Sequence, residues 1–95
     1  MNYKKIPEEI KTRVIERDTK CVYCGRDFSG TIRFEWEHII NDENNVKINN
    51  IALCCRSCNR SKGNKKLSDW IYAKTPYRMK FVNITSLSDI IKDLL

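Results

Sequence analysis

Ile51–Gly63 reads IALCCRSCNRSKG. Its first five residues are an unbroken apolar or small run, and with no spacer they pass into the Cys55-x2-Cys58 pair. The pattern predicts a short strand followed by a cysteine knuckle that opens into a helix. A matching knuckle lies upstream in CVYCGRDF, residues 21–28, where Gly25 follows the Cys21-x2-Cys24 pair and supplies the turn. The two pairs are 30 residues apart. Four thiolates so arranged can surround a tetrahedral zinc, two sulfurs from each turn. The plain alternative is a set of buried, reduced thiols. A four-cysteine zinc has no open position, so the ion would be structural. Cys54 is left over; a pairing of Cys54 with Cys58 is the alternative, but strand alternation points Cys54 away from Cys55, which makes it a small core residue.

A metal staple suits a chain of 95 residues with 41% hydrophobic content, which is too short to build a generous core. No charged-then-apolar leader and no apolar run of bilayer length is visible, so a reducing cytoplasm is the expected compartment and no membrane contact is expected. The net charge of +6 is unevenly placed. Residues 34–53 carry Glu35, Glu37, Asp42 and Glu43 against Lys47 alone. Residues 54–80 carry Arg56, Arg60, Lys62, Lys65, Lys66, Lys74, Arg78 and Lys80 against Asp69 alone. An acidic segment beside a basic one fits a cation site next to a polyanion surface, with a merely solvated basic face as the simpler reading.

Around these anchors, Pro7, Glu8 and Glu9 followed by Ile10, Val14 and Ile15 predict a helix over 7–17. The β-branched and aromatic content of SGTIRFEWEHII, residues 29–40, predicts a strand, and NDENNVKINN, residues 41–50, a polar connection. Leu67, Trp70, Ile71 and Tyr72 predict a short helix with Ser68 near its cap and Pro76 beyond its end. SLSDIIKDLL, residues 86–95, predicts an amphipathic C-terminal helix whose stripe from Leu87 to Leu95 is core or, less simply, a pairing surface.

The stretch FEWEHIIN, residues 34–41, holds the only histidine, His38. Read alone, it is a satisfied core residue, a zinc ligand or a catalytic base; the four cysteines make the second unnecessary. Glu37 beside it is a metal-binding acid or a surface carboxylate, and Asn50 and Asn59 suit turns and caps as well as a site. Trp36 and Trp70 are most simply core, with base stacking as the alternative.

Taken in order, Cys21-x2-Cys24-Gly25, Glu37-His38-Ile39-Ile40, Asn50, Cys55-x2-Cys58-Asn59 and Lys62-Gly63 resemble the HNH endonuclease family, whose site is the ββα-metal fold. Arg13 to Asp18 also resembles the helix that leads into the first knuckle of zinc-bearing members. The resemblance implies that His38 is the general base and Glu37 the metal-binding acid. It further implies that Asn50 braces the loop holding the histidine, that Asn59 ligates the metal and that Lys62 approaches phosphate. The family's usual aspartate before the histidine is Glu37 here, and its glycine pair in the following loop is replaced by ENNVKINN.

The chemistry asks for these residue types independently. Phosphodiester hydrolysis needs an activated water on one side of phosphorus and charge stabilisation on the other, and adjacent side chains on a strand diverge. A neutral imidazole accepts a proton near neutral pH, while a carboxylate and an amide suit Mg²⁺ or Mn²⁺. The expectation is therefore a small α+β domain of the ββα-metal type, stapled by a four-cysteine zinc, with flanking helices. It spans 1–95 as one unit, with a motif core at about 10–66 and a helical extension at about 67–95. It would cut DNA, most simply double-stranded, as a monomer or weak homodimer, through Arg56, Arg60, Lys62, Lys65 and Lys66. The rival is a zinc-stapled DNA-binding or accessory module without catalysis; a protein-interaction zinc domain would leave the basic segment unused.

Overall fold

The computed structural model describes residues 6–28, 32–72, 82 and 86–95. Helix α1 spans Glu8–Arg17, with Pro7 just ahead of it as the cap residue and Glu8 and Glu9 at its positive end. Of its apolar positions Val14 is fully buried and Ile10 half-buried, whereas Ile15 faces solvent at 48% exposure. Strands β1 (Phe34–His38) and β2 (Ile51–Cys55) pair antiparallel, with Phe34 opposite Cys55, Glu35 opposite Cys54, Trp36 opposite Leu53, Glu37 opposite Ala52 and His38 opposite Ile51. Helix α2 (Arg56–Lys62) starts directly where β2 stops, and α3 (Leu67–Ile71) follows. Lys66 caps α3, and Ser68, expected near the cap, lies inside it; Pro76 falls outside the described residues.

Two strands cannot hold themselves together in water, so both faces must be covered. Ile51 and Leu53 join Ile6 and Val14 in one apolar cluster, with Trp36, Val46 and Ile48 packed at its margin. Ala52 and Cys54 join the other, with the two knuckles, Trp70, Ile71, Val82, Leu87 and Ile91. This is why β2 reads as an unbroken apolar run: all five of its residues are buried. Arg17 and Asp18 fasten α1 to the sheet. The guanidinium donates to both Asp18 carboxylate oxygens and to the carbonyls of Ile48 and Ile51, and the Asp18 carboxylate accepts from the Leu53 amide at 3.0 Å.

The C-terminal expectation needs correction. Helix α4 covers only Asp89–Lys92, a single turn, because Ser88 is extended, with its amide donating to the Val22 carbonyl. Leu87 and Ile91 are buried against the first knuckle and α3, while Leu94 and Leu95 are 43% and 39% exposed. The stripe is thus mainly core. No helix among the described residues is long and apolar enough to cross a membrane.

Candidate metal and catalytic site

Each knuckle is a tight turn closed on its first sulfur. Cys24 N–H donates to Cys21 Sγ at 3.5 Å, and Cys58 N–H donates to Cys55 Sγ at 3.4 Å. Gly25 takes φ +77° at the end of the first turn, and a side chain there would also press on the Ser86 carbonyl. Cys55 N–H donates to Cys21 Sγ, which joins the two turns. The Sγ atoms of Cys21, Cys24, Cys55 and Cys58 all lie within 4.8 Å of one another, and Cys54 is outside the group. The Cys24 and Cys55 sulfurs are 3.8 Å apart, about the edge of a tetrahedron of sulfurs ~2.3 Å from a central ion. Hydrogen bonds from Cys58 and from backbone amides pull the Cys21 thiol down to about 5, while burial pushes Cys24 up and the Cys21 hydrogen bond pushes Cys58 up. Four buried sulfurs within 4.8 Å of one another fit a structural zinc, whose double charge would stabilise all of them as thiolates. Arg26 adds N–H donors at 3.3 Å to Cys24 and Cys55. Burial raises the pKa of Cys54 strongly, so it stays a neutral core thiol.

Glu35 and Glu37 alternate onto the side of β1 that faces α2, and α2 answers them at i and i+3 spacing. Asn59 donates its amide to Glu35 Oε1 at 2.8 Å, and Lys62 Nζ lies 3.3 Å from Glu37 Oε2. Tyr23, from the first knuckle, donates its hydroxyl to the same Glu37 oxygen at 2.8 Å, and its ring packs edge-on against Trp70. Glu37 is 5% exposed, and burial raises its pKa despite the opposing Lys62 charge and Tyr23 hydrogen bond. Burial and a nearby carboxylate both push the Tyr23 phenol up.

Two expectations change here. Lys62 was expected at the phosphate surface, but it is wholly buried beneath β1, paired to Glu37 by the one-turn spacing from Asn59. Asn59 was expected to share an ion with Glu37, yet the carboxylate it meets is Glu35. Sequence reasoning counted Glu35 only as part of an acidic segment; its i, i+2 relation to Glu37 was the signal that places both on one face.

His38 is the last residue of β1, on the alternate phase from Glu37, and is 4% exposed. Burial lowers its pKa, Asp42 and Glu43 work against that, and the Lys62 charge adds to it. Asn50 holds the loop that leaves the histidine: its carbonyl oxygen accepts from Ile40 N–H, and its amide donates to the Ile40 and Asn45 carbonyls. Arg56, Arg60, Lys65 and Lys66 are all exposed around α2 and its exit.

The HNH endonuclease family model matches residues 21–65, from the first zinc cysteine through Lys65. Residues 21–65 are those of an HNH domain. That match runs through both knuckles, the β1–β2 pair and α2, so the ββα unit and the four-cysteine metal centre belong to one motif. No curated protein and no solved structure matches the chain.

Proposed function

We propose that this HNH domain is a metal-dependent endonuclease that hydrolyses phosphodiester bonds in DNA, double-stranded in the simplest case. The observation that supports the reading best is the end of β1. There, a buried histidine and a buried glutamate diverge from adjacent positions, each held by a separate device: Asn50 for the loop after His38, Lys62 and Tyr23 for Glu37.

In this reading the neutral His38 imidazole takes a proton from the attacking water, a role to which its lowered pKa is suited near neutral pH. Asn59 and the carboxylates Glu35 and Glu37 offer hard oxygen donors of the kind Mg²⁺ or Mn²⁺ takes, and such an ion would stabilise charge on the phosphoryl oxygens. Lys62 competes with that ion for Glu37, so the order of affinities sets the metal concentration required. Exposed Arg56, Arg60, Lys65 and Lys66 meet the phosphate backbone, and the zinc keeps α2 against β1. One His38 and one Asn59 address one phosphate, so a monomer nicks before it breaks the duplex.

The test is a supercoiled plasmid incubated with zinc-loaded protein, with and without Mg²⁺ or Mn²⁺. Open circles should accumulate first and only with the added ion. His38→Ala should slow cleavage by about 10²–10⁴-fold while the affinity for DNA stays within about twofold, because the base acts only in the transition state. Undiminished cutting by His38→Ala rejects the mechanism.

A further inference from the structure

At the start of β1, beside Cys55, lies a cleft that shares Glu35 and Arg56 with the candidate cleavage surface and is otherwise walled by residues the cleavage reaction does not use. Its volume is about 310 Å³, and its walls include Arg26, Arg33, Phe34, Glu35 and Arg56. Three arginines line it. Arg26 is committed to the Cys24 and Cys55 sulfurs. Arg33 and Arg56, by contrast, are exposed and form no ion pair among the described residues. Phe34 is 42% exposed, although it is held in place by edge-on contacts to Phe28 at 5.8 Å and Trp36 at 5.9 Å between ring centres. An aromatic ring held by two edge-on contacts and presented to solvent beside two guanidiniums that form no ion pair among the described residues suits a flat, anionic ligand. The one acid in the wall, Glu35, is turned to the Asn59 amide, which spends part of its charge.

We propose that this cleft binds one unpaired nucleotide of a nucleic-acid strand, its phosphate between Arg33 and Arg56 and its base against Phe34. The inference rests on the nucleic-acid reading above and deepens it. Glu35 belongs both to the cleft wall and to the α2-facing row that carries Asn59, so a strand entering the cleft continues onto the candidate cleavage site. His38 lies three residues further along β1, roughly 10 Å at strand rise. The preferred substrate is then DNA with an unpaired nucleotide beside the cut: a gap, a flap or a flipped base. Stacking on an aromatic ring is sequence-tolerant, so this preference is for structure rather than for base identity.

The test measures anisotropy of a labelled thymidine oligonucleotide and of a duplex of equal length, with zinc-loaded protein and no added Mg²⁺ or Mn²⁺. Phe34→Leu keeps an apolar side chain but removes the ring face. It should weaken single-strand binding by at least about fivefold and leave duplex binding within about twofold. Phe34→Tyr should restore it. Arg33→Gln, on the surface and outside the duplex-binding set, should lower the single-strand salt slope by about 0.7, at roughly 0.7 per phosphate contact, and leave the duplex slope unchanged. Zinc content and melting temperature verify that each variant is folded, and Arg33→Gln decides the matter if Phe34→Leu loses zinc. Equal loss on both substrates, or single-strand binding and salt slope unchanged, overturns the cleft assignment, and nicking of plasmid by the wild-type protein separately decides the endonuclease reading. Wild-type protein that binds neither substrate overturns the nucleic-acid reading itself, and this inference with it.

Discussion

The two faces of the β1–β2 sheet are built on different physics. On the α1 face the contacts are apolar, Val14, Ile51, Leu53 and Trp36, and the Arg17–Asp18 pair turns its remaining hydrogen bonds to backbone groups. On the α2 face the decisive contacts join side chain to side chain: four thiols, Tyr23 to Glu37, Glu37 to Lys62, Glu35 to Asn59. The first face fixes where the strands lie. The second holds charge in a confined place, at a cost in solvation that only mutual pairing or a bound ion offsets.

If that division is right, removing the staple from the second face does the most damage. Zinc in such sites contributes an apparent 10–16 kcal/mol, so chelation or Cys58→Ser should unfold the β2–α2 unit, seen as loss of near-ultraviolet circular dichroism. Cys54→Ala, one residue from a ligand but outside the sulfur cluster, should keep one zinc per chain by elemental analysis. Zinc lost with Cys54→Ala and kept with Cys58→Ser would reverse the assignment.

The next contrast lies within the buried pair. Lys62→Met leaves Glu37 buried with Tyr23 as its remaining close partner among the described residues and should cost about 3–5 kcal/mol in denaturant melts. Glu37→Gln with Lys62→Met removes both charges and should recover most of that loss. A double variant as unstable as the single one would mean that Lys62 acts through packing and not through its charge.

On the α1 face, Asp18→Ala removes the acceptor of the Leu53 amide and the Arg17 fork, and should cost about 1.5–3 kcal/mol. Metal content should not change, because no cysteine depends on it. Smallest of all, Arg60→Ala and Lys66→Ala should leave stability within about 0.5 kcal/mol, yet each should lower the duplex salt slope by about 0.9. Unchanged slopes would place the DNA on another surface.

Much of this organisation was legible in the sequence because it is carried by local spacing. The start of α1 follows from Pro7, Glu8 and Glu9, the knuckles from paired cysteines, and β2 with α2 from an apolar run that passes into Cys55. The less legible parts depend on what lies across the sheet. A lysine in a basic run reads as solvated, and only the one-turn step from Asn59 to Lys62, laid against the two-residue step from Glu35 to Glu37, turns it inward. The C-terminal stripe misled for a related reason: Leu87 and Ile91 do reach the core, but a backbone hydrogen bond to Val22 takes up the segment ahead of the helix and leaves one turn of it. The Arg17–Asp18 clamp carries no periodic signal, since its partners are carbonyls and an amide 31 to 35 residues away.

Between β2 and α2 there is no linker: Cys55 ends the strand, and its sulfur accepts the Cys58 amide as the helix begins at Arg56. A junction of that kind has consequences for how such a chain can change length. One residue added there would turn α2 by about 100° about its axis, carrying Asn59 and Lys62 away from Glu35 and Glu37 together. Residues 41–44, exposed between the strands, offer the opposite case, a place where residues can be gained or lost at little cost beyond loop closure. Variation in length among chains built this way should therefore gather between the strands and leave the strand–helix joint untouched.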